Sequence, residues 1–85
     1  MKYILYSREG CSICKKAKLV LEKANLEFKE VSIEGDAKLE ELYQYEIPVL
    51  VDESGKVCMK GVMSEARVAA FFGNELISRH VKLGA

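Results

Sequence analysis

The feature that most constrains this chain is Cys11-Ser12-Ile13-Cys14, two thiols separated by two residues directly after Gly10. A short apolar run, Tyr3-Ile4-Leu5-Tyr6, precedes it, and Lys15-Lys16-Ala17-Lys18-Leu19-Val20-Leu21-Glu22, with the composition of a helix, follows. Cys11 is therefore expected at a strand-to-helix junction. That position matters because the thiolate does the chemistry of cysteine, and the positive end of a helix dipole stabilises an anion by roughly 0.3–1 kcal/mol. Amides, neighbouring cations and a second thiol can together lower a thiol pKa from about 8.5 to somewhere within ~3.5–7.5. Cys11 is the candidate nucleophile. Cys14, one helical turn further on and on the same side, is the candidate resolving thiol.

Two cysteines at this spacing also serve as half of a zinc site, or simply as small buried residues. A closed zinc site needs two more ligands. The sequence offers only Cys58 and His80, singly and far apart, with no second pair at finger-like spacing. Redox chemistry is the expectation, and metal or iron–sulfur binding through the same two thiols is the alternative.

The 85 residues suffice for one domain, 1–85, in which 73–85 reads as a C-terminal extension. Thirteen Lys and Arg balance thirteen Asp and Glu, so no net field draws the chain to nucleic acid or to a membrane surface, and neither is expected as a partner. The longest apolar runs are about five residues, far short of the ~20 of a spanning helix. Arg8 and Glu9 interrupt the N-terminal run before any signal-peptide core. Three cysteines, an odd number, do not resemble the disulfide framework of a secreted mini-protein, so a cytoplasmic, monomeric protein is expected.

Along the chain, residues 2–6 are predicted to form a buried strand. Helical spacing of Ile13, Ala17, Leu21 and Ala24 predicts a helix from about 12 to 25, with Asn25 as its stop. Residues 27–33 alternate as a strand, and two strands joined by a helix of this length make a parallel βαβ unit. Asp36 is placed to cap a short helix to about Gln44, with Leu39, Leu42 and Tyr43 as its inward stripe. Ile47-Pro48-Val49-Leu50-Val51 is predicted to be a strand with the only proline at its head, followed by a turn at 52–55 and a strand at 56–60. These two strands should form an antiparallel hairpin, with Val57 and Met59 on one face and Cys58 on the other. Ser64 should cap a last helix carrying Val68, Phe71 and Phe72, stopped by Gly73. The order β-α-β-α-β-β-α implies an α/β fold, a four-stranded mixed sheet with helices on both faces.

This order, with Cys-x-x-Cys at the first strand-to-helix junction, resembles the glutaredoxins, within the thioredoxin fold. Tyr6-Ser7-Arg8-Glu9-Gly10-Cys11-Ser12-Ile13-Cys14-Lys15-Lys16-Ala17 is similar to their active-site segment, and Ile47-Pro48 to their cis-proline loop. Gly61-Val62-Met63-Ser64-Glu65 resembles the glycine-glycine and acidic motif at their last helix, with Val62 in place of the second glycine. The resemblance spans about residues 1–72. It implies a cis Ile47-Pro48 bond packed against the Cys pair, and a glutathione site built from Arg8, Ile47, Pro48, Met63, Ser64 and Glu65. Arg8 would pair with a carboxylate, the amides at the last helix with another, and Glu65 with the ammonium. Glu46, beside the proline, would repel an anionic tripeptide.

The expected activity is dithiol–disulfide exchange at Cys11 and Cys14. No cofactor is expected to be tightly bound, and glutathione is the expected co-substrate. The partners are disulfide or glutathionylated proteins, with glutathione or a reductase as electron donor. A thioredoxin-like protein served by a flavoprotein, without glutathione, is a further alternative. Lys15 and Lys16 are read as a solvated helix face, Cys58 as a packing residue, His80 as a surface residue, and Tyr43 and Tyr45 as core and rim.

Overall fold

Alternation along the first strand sets the layout. In the computed structural model, which describes residues 2–72, Tyr3–Ser7 forms β1, with Tyr3, Leu5 and Ser7 buried and Ile4 and Tyr6 half-buried. The extension 73–85, with Gly73 and His80, lies outside the described residues. The strand runs one residue further than the sequence predicts because Ser7 still pairs with Ser32. β2, Phe28–Ser32, lies parallel to β1, with Leu5 opposite Glu30.

Between them α1, Ser12–Lys23, buries Cys14, Ala17 and Leu21. Steps of three and four residues keep these on one stripe. Ile13, expected on that stripe, is 39% exposed, because it sits one residue, about 100°, round the helix from Cys14. The helix ends as expected: Asn25 turns into the left-handed region at φ 61°, and its N–H bonds the Glu22 carbonyl.

α2, Ala37–Tyr43, is capped by Asp36, whose carboxylate accepts from the Lys38 and Leu39 amides at 3.1 Å. Its expected inward stripe is not buried. Tyr43 stacks on Tyr6 at 5.0 Å, but Leu42 is 53% exposed. A helix of about two turns touches the sheet through one side only, and Leu42 lies about 100° from Tyr43.

β3, Val49–Val51, begins two residues later than expected, since Pro48 has no N–H to contribute to a ladder. It pairs antiparallel with β1 and with β4, Val57–Lys60, giving the sheet order β2-β1-β3-β4. The hairpin is as expected, its faces are not. Leu50 opposes Met59 and Val51 opposes Val57, so a bulge leaves Cys58 as the extra residue. Met59 is consequently buried and Val57 exposed, while Cys58 packs on the edge of the core.

The last helix, α3 (residues 65–72), follows the Ser64 cap, whose hydroxyl accepts from the Arg67 amide. Val68 and Phe72 are buried, Phe72 edge-on to Tyr3 at 5.3 Å, but Phe71 is 54% exposed. One core joins Tyr3, Leu5 and Leu50 of the sheet to Ala17 and Leu21 of α1 and to Val68 and Phe72 of α3. Tyr6 and Tyr43 meet on the opposite face, so helices cover both faces, as expected.

The registers also decide what shares one end of the sheet. Ser7 pairs with Ser32, Tyr6 with Val49, and Val49 with Lys60. The loop after β1, the Glu46–Pro48 loop before β3 and the Gly61–Ser64 loop after β4 therefore all lie at the same end of the sheet.

Candidate active site

Gly10 adopts φ +77°, a conformation that side chains disfavour, and this turns the chain from β1 into α1. Cys11 is then the N-cap of α1, with extended backbone at φ −94° and ψ 109°. Its Sγ accepts a hydrogen bond from the Cys14 amide at 3.2 Å. A cap side chain normally supplies oxygen to these unpaired amides. Here sulfur does, so a negative charge on Cys11 would meet a donor already aimed at it, at the positive end of the helix. Cys11 and Cys14 form a disulfide, with Cα atoms 5.2 Å apart. Their exposure differs: Cys11 is half-buried, whereas Cys14 is 2% exposed. Lys15 and Lys16 are exposed.

Beside the disulfide opens a cleft of about 400 Å3, lined among others by Ser7, Arg8, Cys14, Lys15, Lys18 and Glu30. The Ser7 hydroxyl, buried, donates to Glu30 Oε2 at 2.9 Å, and Lys18 Nζ lies 3.3 Å from Glu30 Oε1. Arg8 reaches this cleft, but its guanidinium also lies 3.9 Å from the Glu40 carboxylate of α2. The sequence alone marks no role for Ser7, Lys18 or Glu30, since only the register of β1 with β2 sets Glu30 opposite Leu5 and beside Ser7.

On the other flank the Ile47–Pro48 bond is cis, and Pro48 is fully buried. Its carbonyl accepts from the Gly61 amide at 2.9 Å, which ties the proline loop to the loop before α3. The Ile47 N–H donates to the Tyr43 carbonyl, so it is engaged within the chain. Glu46, expected to repel an anion, is paired with Lys60 at 2.8 Å. Tyr45, expected on a rim, is 91% exposed.

Met63 is 2% exposed and belongs to the core, and Ser64 is occupied as a cap. Val62 is 60% exposed, with its carbonyl held by the Arg67 guanidinium at 2.6 Å. Glu65, assigned to a ligand ammonium, meets the ammonium of Lys23 at 3.3 Å. Lys23 is twelve residues after Cys11, about 18 Å along α1. The structure thus gathers Arg8, Cys11, Cys14, Ile47 and Pro48 at one end of the sheet and turns the Glu65 carboxylate toward the far half of α1.

The third thiol, Cys58, is free, and burial, followed by the nearby Asp52 carboxylate, pushes its pKa up. Among the described residues no group of three or more His, Cys, Asp or Glu could hold a metal ion. Among the same residues no helix is long and apolar enough to cross a membrane.

A Cys-x-x-Cys capping the first helix of a βαβ unit, a cis-proline before an antiparallel hairpin and a closing helix define a thioredoxin-fold protein. Within that class residues 2–82 match the model of the Glutaredoxin-like domain (DUF836), and the chain belongs to this family. The X-ray structure of target protein XcR50 from X. campestris is similar at 32% identity, covering 85% of this chain and 96% of that one, with a TM-score of 0.75. The thioredoxin-like protein BC3987, solved as a mutant, shares the fold at 22% identity, over 84% and 94% of the two chains, with a TM-score of 0.63. Thioredoxin 1 from Thermosipho africanus shares it at 11% identity, over 99% and 98%, with a TM-score of 0.50. No curated protein matches the sequence.

Proposed function

We propose that this chain is a thiol–disulfide oxidoreductase that works by dithiol exchange and draws its electrons from glutathione. The observation that carries the proposal is the Cys11–Cys14 disulfide at the head of α1, with the Cys14 amide bonded to Cys11 Sγ. In the reduced protein the Cys11 thiolate attacks one sulfur of a substrate disulfide. A Cys11–substrate disulfide forms, and the other substrate sulfur leaves with the electron pair of the broken bond. Cys14 then attacks Cys11 Sγ, the Cys11–Cys14 bond forms, and the second substrate thiolate departs. The unequal exposure of the two cysteines supports that order. Substrates are disulfide or glutathionylated proteins, met in the cytoplasm by a monomer.

The test is NADPH consumption with glutathione, glutathione reductase and a small glutathione mixed disulfide, with Cys11→Ser as control. Turnover that disappears in the control is expected. A second reading, a thioredoxin-like protein fed by a flavoprotein reductase, is favoured by particular contacts. The Ile47 N–H is already bonded, Glu65 is paired with Lys23, and Val62 stands exposed before the last helix. Absence of turnover, with a Cys11–Cys14 disulfide that still forms and is still reduced, selects this second reading.

A further inference from the structure

The loop between β4 and α3 is pinned from three sides. The Gly61 N–H donates to the Pro48 carbonyl at 2.9 Å, the Met63 side chain is buried in the core, and the Val62 carbonyl accepts from the Arg67 guanidinium at 2.6 Å. The first two fix the residues on either side of Val62. The third decides which way the peptide between Val62 and Met63 faces. A trans peptide points its C=O and its N–H in opposite directions, and this one is trans. With the carbonyl drawn to α3, the Met63 N–H is turned away from that helix. Among the described residues no group accepts from it. An amide without a partner in the chain is open to water or to a bound molecule. The Val62 side chain, 60% exposed, cannot anchor the peptide itself. Arg67 can, because its own amide donates to the Ser64 cap and so places it in the first turn of α3. Among the described residues Arg67 forms no ion pair, and its guanidinium serves this one carbonyl.

We propose that Arg67 is a positioning residue for peptide substrates: by holding the Val62 carbonyl, it keeps the Met63 N–H presented to the backbone of a peptide whose disulfide is attacked at Cys11. This rests on the dithiol exchange proposed above. The loop that carries Cys11 follows β1 and the Gly61–Ser64 loop follows β4, with β3 between the two strands. Two strand spacings are about 10 Å, the span of about three residues of extended chain. A peptide attacked at its cysteine can therefore meet the Met63 N–H with a backbone carbonyl a few residues away. A small disulfide without amides has nothing to place there, so the contribution of Arg67 depends on the substrate.

The experiment compares two disulfides in single-turnover reduction by the reduced protein, in a Cys58→Ala background. One is the symmetrical disulfide of an end-blocked five-residue peptide with cysteine at its centre. The other is hydroxyethyl disulfide, which has neither amide nor carboxylate. Arg67→Met keeps the apolar stem and removes the donor. It should reduce the peptide disulfide about fivefold more slowly, the worth of one hydrogen bond, and hydroxyethyl disulfide at the parent rate. Arg67→Lys, which keeps a charged donor, should recover part of the loss with the peptide. Equal slowing with both disulfides is what a merely structural role predicts. That result, or no slowing with either, overturns the assignment of Arg67 while leaving dithiol exchange intact. A parent protein that reduces neither disulfide overturns dithiol exchange itself, and this inference with it.

Discussion

At the scale of single residues, function turns on a division of labour between two identical side chains. Cys11 is reachable and receives a helix amide, while Cys14 supplies that amide from its backbone and keeps its sulfur inside. Substituting the Cys14 side chain therefore leaves the donor to Cys11 in place. Cys14→Ser should still form the mixed disulfide but should not release it, so intact mass after reaction with a disulfide substrate should show one stable adduct. A protein that comes through unmodified would contradict the assigned order of attack. The Cys pair was legible in the sequence because its chemistry and its placement are both local: two thiols, a glycine, and a change of periodicity around them. Glu30 was not, because its meaning depends on a register. Only the pairing of β1 with β2 sets it beside Ser7 and across from Lys18. Glu65 was misleading for a similar reason, since its motif position says nothing of the Lys23 ammonium that meets it.

At the scale of elements, caps and turns were easier to foresee than faces. Asp36 and Ser64 cap the helices that the sequence assigned to them, because capping needs only a short polar side chain at the right place. The faces of α2 and β4 depart from expectation where a tertiary fact intervenes: one side of contact for α2, and a bulge at Cys58 for β4. The hairpin that carries this bulge is organised by Asp52, whose carboxylate accepts from the Ser54 hydroxyl at 2.6 Å and from the Ser54 and Lys56 amides. These bonds, the Ser54 hydroxyl first, hold its pKa below the ordinary carboxylate value. A carboxyl with a lowered folded pKa contributes stability that is fully present above its unfolded value, about 3.9, and is lost as pH falls through the folded one. Asp52→Asn removes the titration while leaving an oxygen to accept. Denaturant unfolding should show the parent more stable than Asp52→Asn above about pH 4, with the gap closing as the medium is made more acidic. A gap that does not change with pH would mean that the charge on Asp52 contributes nothing to the turn.

For the whole molecule, the asymmetry of the two sheet faces is the controlling fact. Leu50, on β3, projects with Leu5 and Met59 into the core closed by α1 and α3, and is fully buried. On the other face the single short helix α2 buries none of its own residues. Val49 and Val51, which share that face with Tyr6 and Ile4, are nonetheless buried, so the face is covered while the outer flank of α2 should add little to stability, and two chemically identical substitutions can show this. Leu50→Ala deletes atoms from a packed interior and leaves a cavity, which costs about 2–5 kcal/mol. For a domain of this size each kcal/mol corresponds to roughly 4–8 °C, so its Tm should fall by about 10 °C or more. Leu42→Ala removes the same atoms from a position 53% exposed, and should change stability by no more than about 0.5 kcal/mol. Equal losses in the two variants would show that Leu42 is packed as tightly as Leu50. A large loss confined to Leu50→Ala would show that the outer flank of α2 contributes little to the stability of the scaffold that holds Cys11 and Cys14. In that case the Arg8–Glu40 pair and the Tyr6–Tyr43 stack are what tie α2 to β1 and to the loop that follows it.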